Sequence, residues 1–158
     1  MSTQKRSQVY LVVADDTPEF EKAWRYAIRA ARANNARVSV LYVIQDLEFS
    51  TWVDIEERMK AEQRQKAEAF LSALAEKMNA IEPGIYGYFL EYGKPTEAIV
   101  KVLQDNPMIT RMILSASSHS GNPGPLVSYF AGKGVSQLTV PLTMVPDHLS
   151  PDEIDHRL

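Results

Sequence analysis

Val9–Ala14 (VYLVVA) is an almost unbroken apolar run, and it limits this chain more than any other segment. Side chains along a strand alternate between two faces, so a strand that is apolar at successive positions must be covered on both sides. Arg37–Ile44 (RVSVLYVI) repeats the pattern and is rich in valine, and Met112–Ala116 (MILSA) is a third example. Ile85–Glu91 (IYGYFLE) carries glycine and tyrosine and suits an edge strand, and Thr139–Val145 (TVPLTMV) is a fifth strand. Helix-length segments separate these runs. Strands alternating with helices, joined by right-handed crossovers, specify an α/β fold: a five-stranded parallel sheet with helices on both faces.

The intervening segments carry helical periodicity. Phe20, Trp24, Ala27, Ile28 and Ala31 lie on one helical face. Thr17 and Pro18 suit its N-cap and first position, and Asn34 and Asn35 its left-handed stop. A long helix is expected from about Ser50 to Met78, with apolar stripes at Trp52, Ile55 and Met59 and at Phe70, Leu71, Leu74 and Met78. Between the stripes, Glu62 to Glu68 offers no large apolar residue, so the first half is expected to pack separately, against a partner or as a flap. Pro83 and Gly84 punctuate the chain before the third strand. Gly93-Lys94-Pro95-Thr96 turns into a short helix with inner face Ala98, Ile99, Val102 and Leu103, ended by Asn106-Pro107. Leu126–Leu138 reads as the last helix, weakened by Gly132 and Gly134. Asp147–Leu158 is polar. The expected organisation is one domain over residues 1–146 and a polar tail over 147–158.

Composition narrows the function classes. A chain of 158 residues can bury a substantial core without metal or disulfide support. It has no cysteine, which excludes disulfides, thiolate metal sites and cysteine nucleophiles. A formal charge of −3 argues against nucleic-acid binding. No apolar run reaches the roughly 18–20 residues of a membrane span. The basic N-terminus leads into an apolar stretch that runs straight into Asp15 and Asp16, without a small-residue cleavage site. It therefore reads as a first strand rather than a signal peptide, and a cytoplasmic protein is expected. His148 and His156 form no ligand spacing with His119, so no histidine metal site is expected.

Chemistry gathers in VVADDT (residues 12–17) and SASSHSGNPG (residues 115–124), each between a strand and a helix. In open α/β sheets that edge receives small ligands. Asp15 can accept hydrogen bonds from a ribose hydroxyl or adenine amine, or hold magnesium; Asp16 suits helix entry. The small side chains from Ser117 to Gly124 let a phosphate approach the backbone. Ser118 and His119 invite a hydrolase reading, but neighbours in sequence rarely form a nucleophile–base pair, and no G-x-S-x-G elbow is present. Lys22, Arg25, Arg29 and Arg32 line one side of the first helix, as an acidic-partner patch or a solvated face. Tyr86 and Tyr88 share one strand face and read as packing residues. The pattern is that of a ligand binder rather than an assembled catalyst.

On these residues the chain resembles the universal stress protein family over residues 8 to 145. Val13-Ala14-Asp15-Asp16-Thr17 is similar to the family's V-D-G-S opening, and Leu41–Ile44 to its L-H-V-x. Glu91–Leu103 (EYGKPTEAIVKVL) resembles its x-x-G-x-P-x-x-x-I-x-x-x-A segment, and Ile113–Gly121 its I-x-M-G-S-x-G. The resemblance implies a Rossmann-like, adenine nucleotide alpha hydrolase-like fold and homodimers paired through the last strand. In one branch it implies ATP at the carboxyl edge. There the positions of Asp15 and Val43 contact the nucleoside, and a G-x2-G-x9-G-(S/T) loop holds phosphate. Gly121, Gly124 and Gly134 satisfy that glycine spacing, with Val135 in place of the final hydroxyl residue. Aligning on S-x-G instead puts Ser117 and Ser120 at glycine positions; counting back from Pro141 puts Ser128-Tyr129 at the glycine–serine pair. These registers exclude one another.

Two functions are therefore expected. In the first, a stress-response regulator binds ATP or a related nucleotide through Asp15, Val43 and the amides of Ser118, His119, Ser120, Gly121 and Gly124. In the second, a dimeric interaction module carries a vestigial pocket. A response-regulator receiver would need an aspartate ending the third strand, where Glu91 stands instead.

Overall fold

A computed structural model describes residues 8–14, 20–45, 53–79 and 85–156. Asp15, Asp16, Thr17, Pro18, Ser50, Trp52, Pro83 and Gly84 lie outside the described residues, as do the side chains of Ile55, Met78, Tyr86 and Ser120. The strands are β1 (Val9–Ala14), β2 (Arg37–Ile44), β3 (Ile85–Tyr92), β4 (Ile109–Ala116) and β5 (Leu142–Pro146). The helices are α1 (Phe20–Ala33), α2 (Val53–Asn79), α3 (Pro95–Asp105), α4 (Pro125–Ala131) and α5 (Pro151–His156). All strand pairs are parallel, in the order β3-β2-β1-β4-β5.

β1 occupies the centre, and its alternation builds both layers. Tyr10, Val12 and Ala14 enter one apolar cluster with α1 and with Leu71 and Leu74 of α2. Val9, Leu11 and Val13 enter the other with α3 and with Val127 and Phe130 of α4. All six β1 side chains are buried. A fully buried aliphatic side chain contributes about 1.5–3 kcal/mol, which makes this strand the densest source of stabilisation in the fold.

α1 lies close to the sheet because Ala23, Ala27, Ala30 and Ala31 fill its inner face with Phe20 and Ile28. Trp24, expected on that face, is only partly buried. The helix stops as its asparagines predict: Asn35 is left-handed (φ 53), and the Ala36 N–H donates to the Ala31 carbonyl at 2.7 Å. In α2, Ala67, Leu71 and Leu74 are buried, and Phe70 meets Phe20 and Tyr42 with ring centroids 5.6 Å apart. The helix is continuous from Val53, so no break separates its two apolar stripes.

Three boundaries differ from expectation. β4 begins at Ile109, before polar Thr110 and Arg111, because Ile109 is buried beside Val9 and the Arg111 guanidinium stacks 4.7 Å above the Tyr10 ring. The expected helix Leu126–Leu138 stops at Ala131, and a 3₁₀ turn, Lys133–Gln137, follows Gly132. β5 starts at Leu142 rather than Thr139, since Pro141 has no N–H for a ladder and offers only its carbonyl, to the Met112 N–H at 3.0 Å.

The polar C-terminal segment is ordered against α1. Ile154 is buried, and the Lys22 ammonium donates to the Leu149 carbonyl at 2.7 Å. Arg25 grips the Asp155 carboxylate through two bonds of 3.0 and 2.7 Å, and Arg29 lies 3.1 Å away. Lys22, Arg25 and Arg29 of the basic row on α1 thus bind the chain's own C-terminal segment. Among the described residues, no helix is long and apolar enough to cross a membrane.

Two predictions follow from these contacts. Ser39, fully buried in β2 between Leu11 and Gly87, has a hydroxyl with no hydrogen-bond partner. An unsatisfied buried hydroxyl costs about 1–3 kcal/mol, so Ser39→Ala is expected to melt at or above the wild-type temperature in a calorimetric scan. Donation from Arg25 pulls the Asp155 carboxyl down to about 2, so its stabilisation is present above the unfolded-state value near 4 and fades as pH falls toward 2. The melting-temperature gap between wild type and Asp155→Asn should accordingly be full at neutral pH and close over that acid range.

Candidate functional site

The strand order creates a crevice. From β1 the chain moves outward to β2 and β3, then α3 returns it to the opposite side of β1 for β4 and β5. Connections leaving the carboxyl ends of β1 and β4 therefore diverge, and ligands settle at such a switch point. A cavity of about 590 Å³ opens there, within the usual range for small-molecule sites. Val13 and Ala14 of β1, Tyr42 and Val43 of β2, and Leu114 and Ser115 of β4 form its floor. Gln45, Pro95 and Thr96 line one side; Ser117, Pro123, Gly124, Pro125, Leu126 and Val127 line the other. Apolar groups predominate, with a few hydroxyls and one amide to orient a ligand.

The loop from Ser117 to Gly124 is held by its own hydrogen bonds. The Ser117 N–H donates to the Pro123 carbonyl at 3.2 Å, closing the loop base. The His119 N–H donates to Ser117 Oγ at 3.2 Å, and the Gly124 N–H to Asn122 Oδ1 at 3.0 Å, a side-chain turn typical of asparagine. Gly124 has φ 104 and ψ 160, a region essentially reserved for glycine, and Pro125 then opens α4. Ser118 binds Asp147: its N–H and its hydroxyl both donate to Asp147 Oδ1, at 3.0 and 2.5 Å. The Asp147 N–H in turn donates to the Ala116 carbonyl at 2.9 Å. Donation from the Ser118 hydroxyl holds the Asp147 carboxyl below the usual carboxylate range, aided by the Ser118 amide and by His119 and His148.

Of the residues expected to bind a nucleotide, Val43 and Gly124 line the cavity. Asp15 lies outside the described residues, directly after Ala14 of the cavity floor. Ser118 faces Asp147, His119 is exposed, and His119, Ser120 and Gly121 form a short 3₁₀ turn beside the cavity wall, with Gly121 left-handed at φ 66. Gly134, which completes the literal glycine spacing, is a packing glycine: a Cβ there would stand 2.2 Å from the Tyr129 ring. Tyr129 itself is tied to Gln137 Oε1 at 2.9 Å. Neither is among the cavity-lining residues. Tyr42, Thr96 and Leu126 were missed as walls, although the Gly93–Thr96 turn marked where α3 enters. Asp147 left no local signal, being 29 positions from Ser118. Glu91 bonds Lys101 at 3.4 Å. Among the described residues, no three His, Asp or Glu side chains converge on a metal site.

The family model described as the universal stress protein family matches residues 8–146. Among solved structures, the universal stress protein UspA from Lactobacillus plantarum superposes with a TM-score of 0.73 at 20% identity, covering 89% of this chain and 98% of that one. The universal stress protein from Archaeoglobus fulgidus in complex with dAMP gives 0.60 at 14% identity, covering 88% and 97%. A universal stress protein in complex with cAMP gives 0.55 at 16%, covering 89% and 97%. Identities this low establish a common fold, Rossmann-like and parallel. No curated protein matches the chain.

Because nothing lies within 4 Å of a Cβ placed on Gly124, its cost on substitution is purely conformational. Gly124→Ala is expected to lower stability by about 1–3 kcal/mol in a denaturant titration, despite the open space around it.

Proposed function

The chain belongs to the universal stress protein family, and we propose that it serves stress response or regulation by holding ATP or a related nucleotide in the carboxyl-edge cavity. The observation that carries this reading is the convergence of β1, β2, β4 and the start of α3 around one nucleoside-sized, mostly apolar space. Val13, Val43, Leu114 and Leu126 suit a base, while Thr96, Ser115 and Gln45 offer polar groups to a ribose. Asp15 takes a ribose hydroxyl or an adenine amine, and the backbone from Ser118 through Gly124 faces the phosphate. Two structural relatives are described as complexes with cAMP and dAMP, which supports a nucleotide as the ligand class. The role is binding rather than turnover, in the cytoplasm.

We further propose a homodimer paired through β5. That strand ends the sheet, so one row of its backbone groups is open to pairing, and Met144 on it is 50% exposed. A second reading, a dimeric interaction module with a vestigial pocket, draws on the loop amides already donated within the protein.

Calorimetry with ATP, AMP and adenosine tests the first reading against Val43→Trp, which would fill the cavity. Saturable binding to the wild type, weakened about tenfold or more in a variant that retains its circular dichroism, is the expected result. No heat from any of the three at millimolar concentration would overturn it and leave the interaction module.

A further inference from the structure

Resting on the nucleotide reading, we infer that Asp147 occupies the anion seat of the Ser117–Gly124 loop, so that the cavity admits a nucleoside with at most one phosphate ahead of a di- or triphosphate. A polyphosphate beside this cavity needs backbone N–H donors or cations. Five of the loop's N–H groups are engaged within the protein: that of Ser118, together with its hydroxyl, goes to Asp147, and those of Ser117, His119, Asn122 and Gly124 go to other acceptors within the loop. Pro123 and Pro125 have no N–H to give. Among the described residues lining the cavity there is also no lysine, arginine or histidine.

Asp147 is placed by the fold rather than by chance of rotamer. Its own N–H bonds Ala116, the last residue of β4, and Pro146 pairs with Ala116 across the sheet. The carboxylate therefore arrives beside Ser118 whenever β5 is paired. Carboxylate-to-amide bonds of this kind are charge-assisted, and an incoming phosphate must break them while facing a like charge. A base and ribose meet no such opposition on the apolar floor.

Calorimetry on the full chain with adenosine, AMP and ATP decides the matter. The wild type is expected to bind ATP about tenfold or more weakly than adenosine, the size of one like-charge contact in a partly solvated site. Asp147→Asn keeps an oxygen acceptor for Ser118 and removes the charge; it should tighten ATP about tenfold and leave adenosine within about threefold. The wild-type ranking requires no variant, so it stands even where the substitution disturbs folding. ATP binding to the wild type as tightly as adenosine would overturn the inference while leaving the nucleotide site intact. An unchanged ATP affinity in a folded Asp147→Asn protein would do the same. Failure of all three ligands to bind either protein would instead remove the nucleotide reading, and this inference with it.

Discussion

A strand with no outward face organises this molecule. β1 sends three side chains into each of two apolar layers, and neither layer can be left open to water. Helices must therefore cover both sides of the sheet, and parallel crossovers must reach them. Once β1 is central and the chain winds first to one side and then to the other, a crevice at its carboxyl end is unavoidable. The site is thus a consequence of how the core is buried, and its apolar floor continues that core.

The C-terminal segment ties this architecture to the crevice. After β5, Asp147 turns back to the loop following β4, and a few residues later Ile154 and Asp155 seal α5 onto α1. Exposed ion pairs are weak individually, but here two arginines share one carboxylate next to a buried isoleucine, so charge and packing reinforce each other. The basic row on α1, which a sequence presents as a surface for some acidic partner, is largely answered by the protein's own tail. The same segment places a negative charge against the Ser117–Gly124 loop.

Much of the fold was legible because it follows from local periodicity. β1 and β2 begin and end where their apolar runs do, and the inner face of α3 is the four residues its spacing predicts. Boundaries failed where long-range contacts outweighed local pattern: Arg111 enters a central strand because Tyr10 receives it, and Pro141 delays β5 because it cannot donate. Of the residues expected to hold a nucleotide, Gly124 and Val43, the latter placed by the family resemblance, line the cavity. The glycine spacing misled at Gly134, whose lack of a side chain serves the Tyr129 ring.

By itself the sequence determined the fold class, since hydrophobic alternation and turn chemistry act over a few residues, and its motifs carried the resemblance to the family. Only the tertiary structure decided which walls enclose the cavity, that α1's arginines are partnered, and that Asp147 lies on Ser118. Those are contacts between residues 29 to 130 positions apart, and their geometry depends on strand order and register rather than on any local pattern.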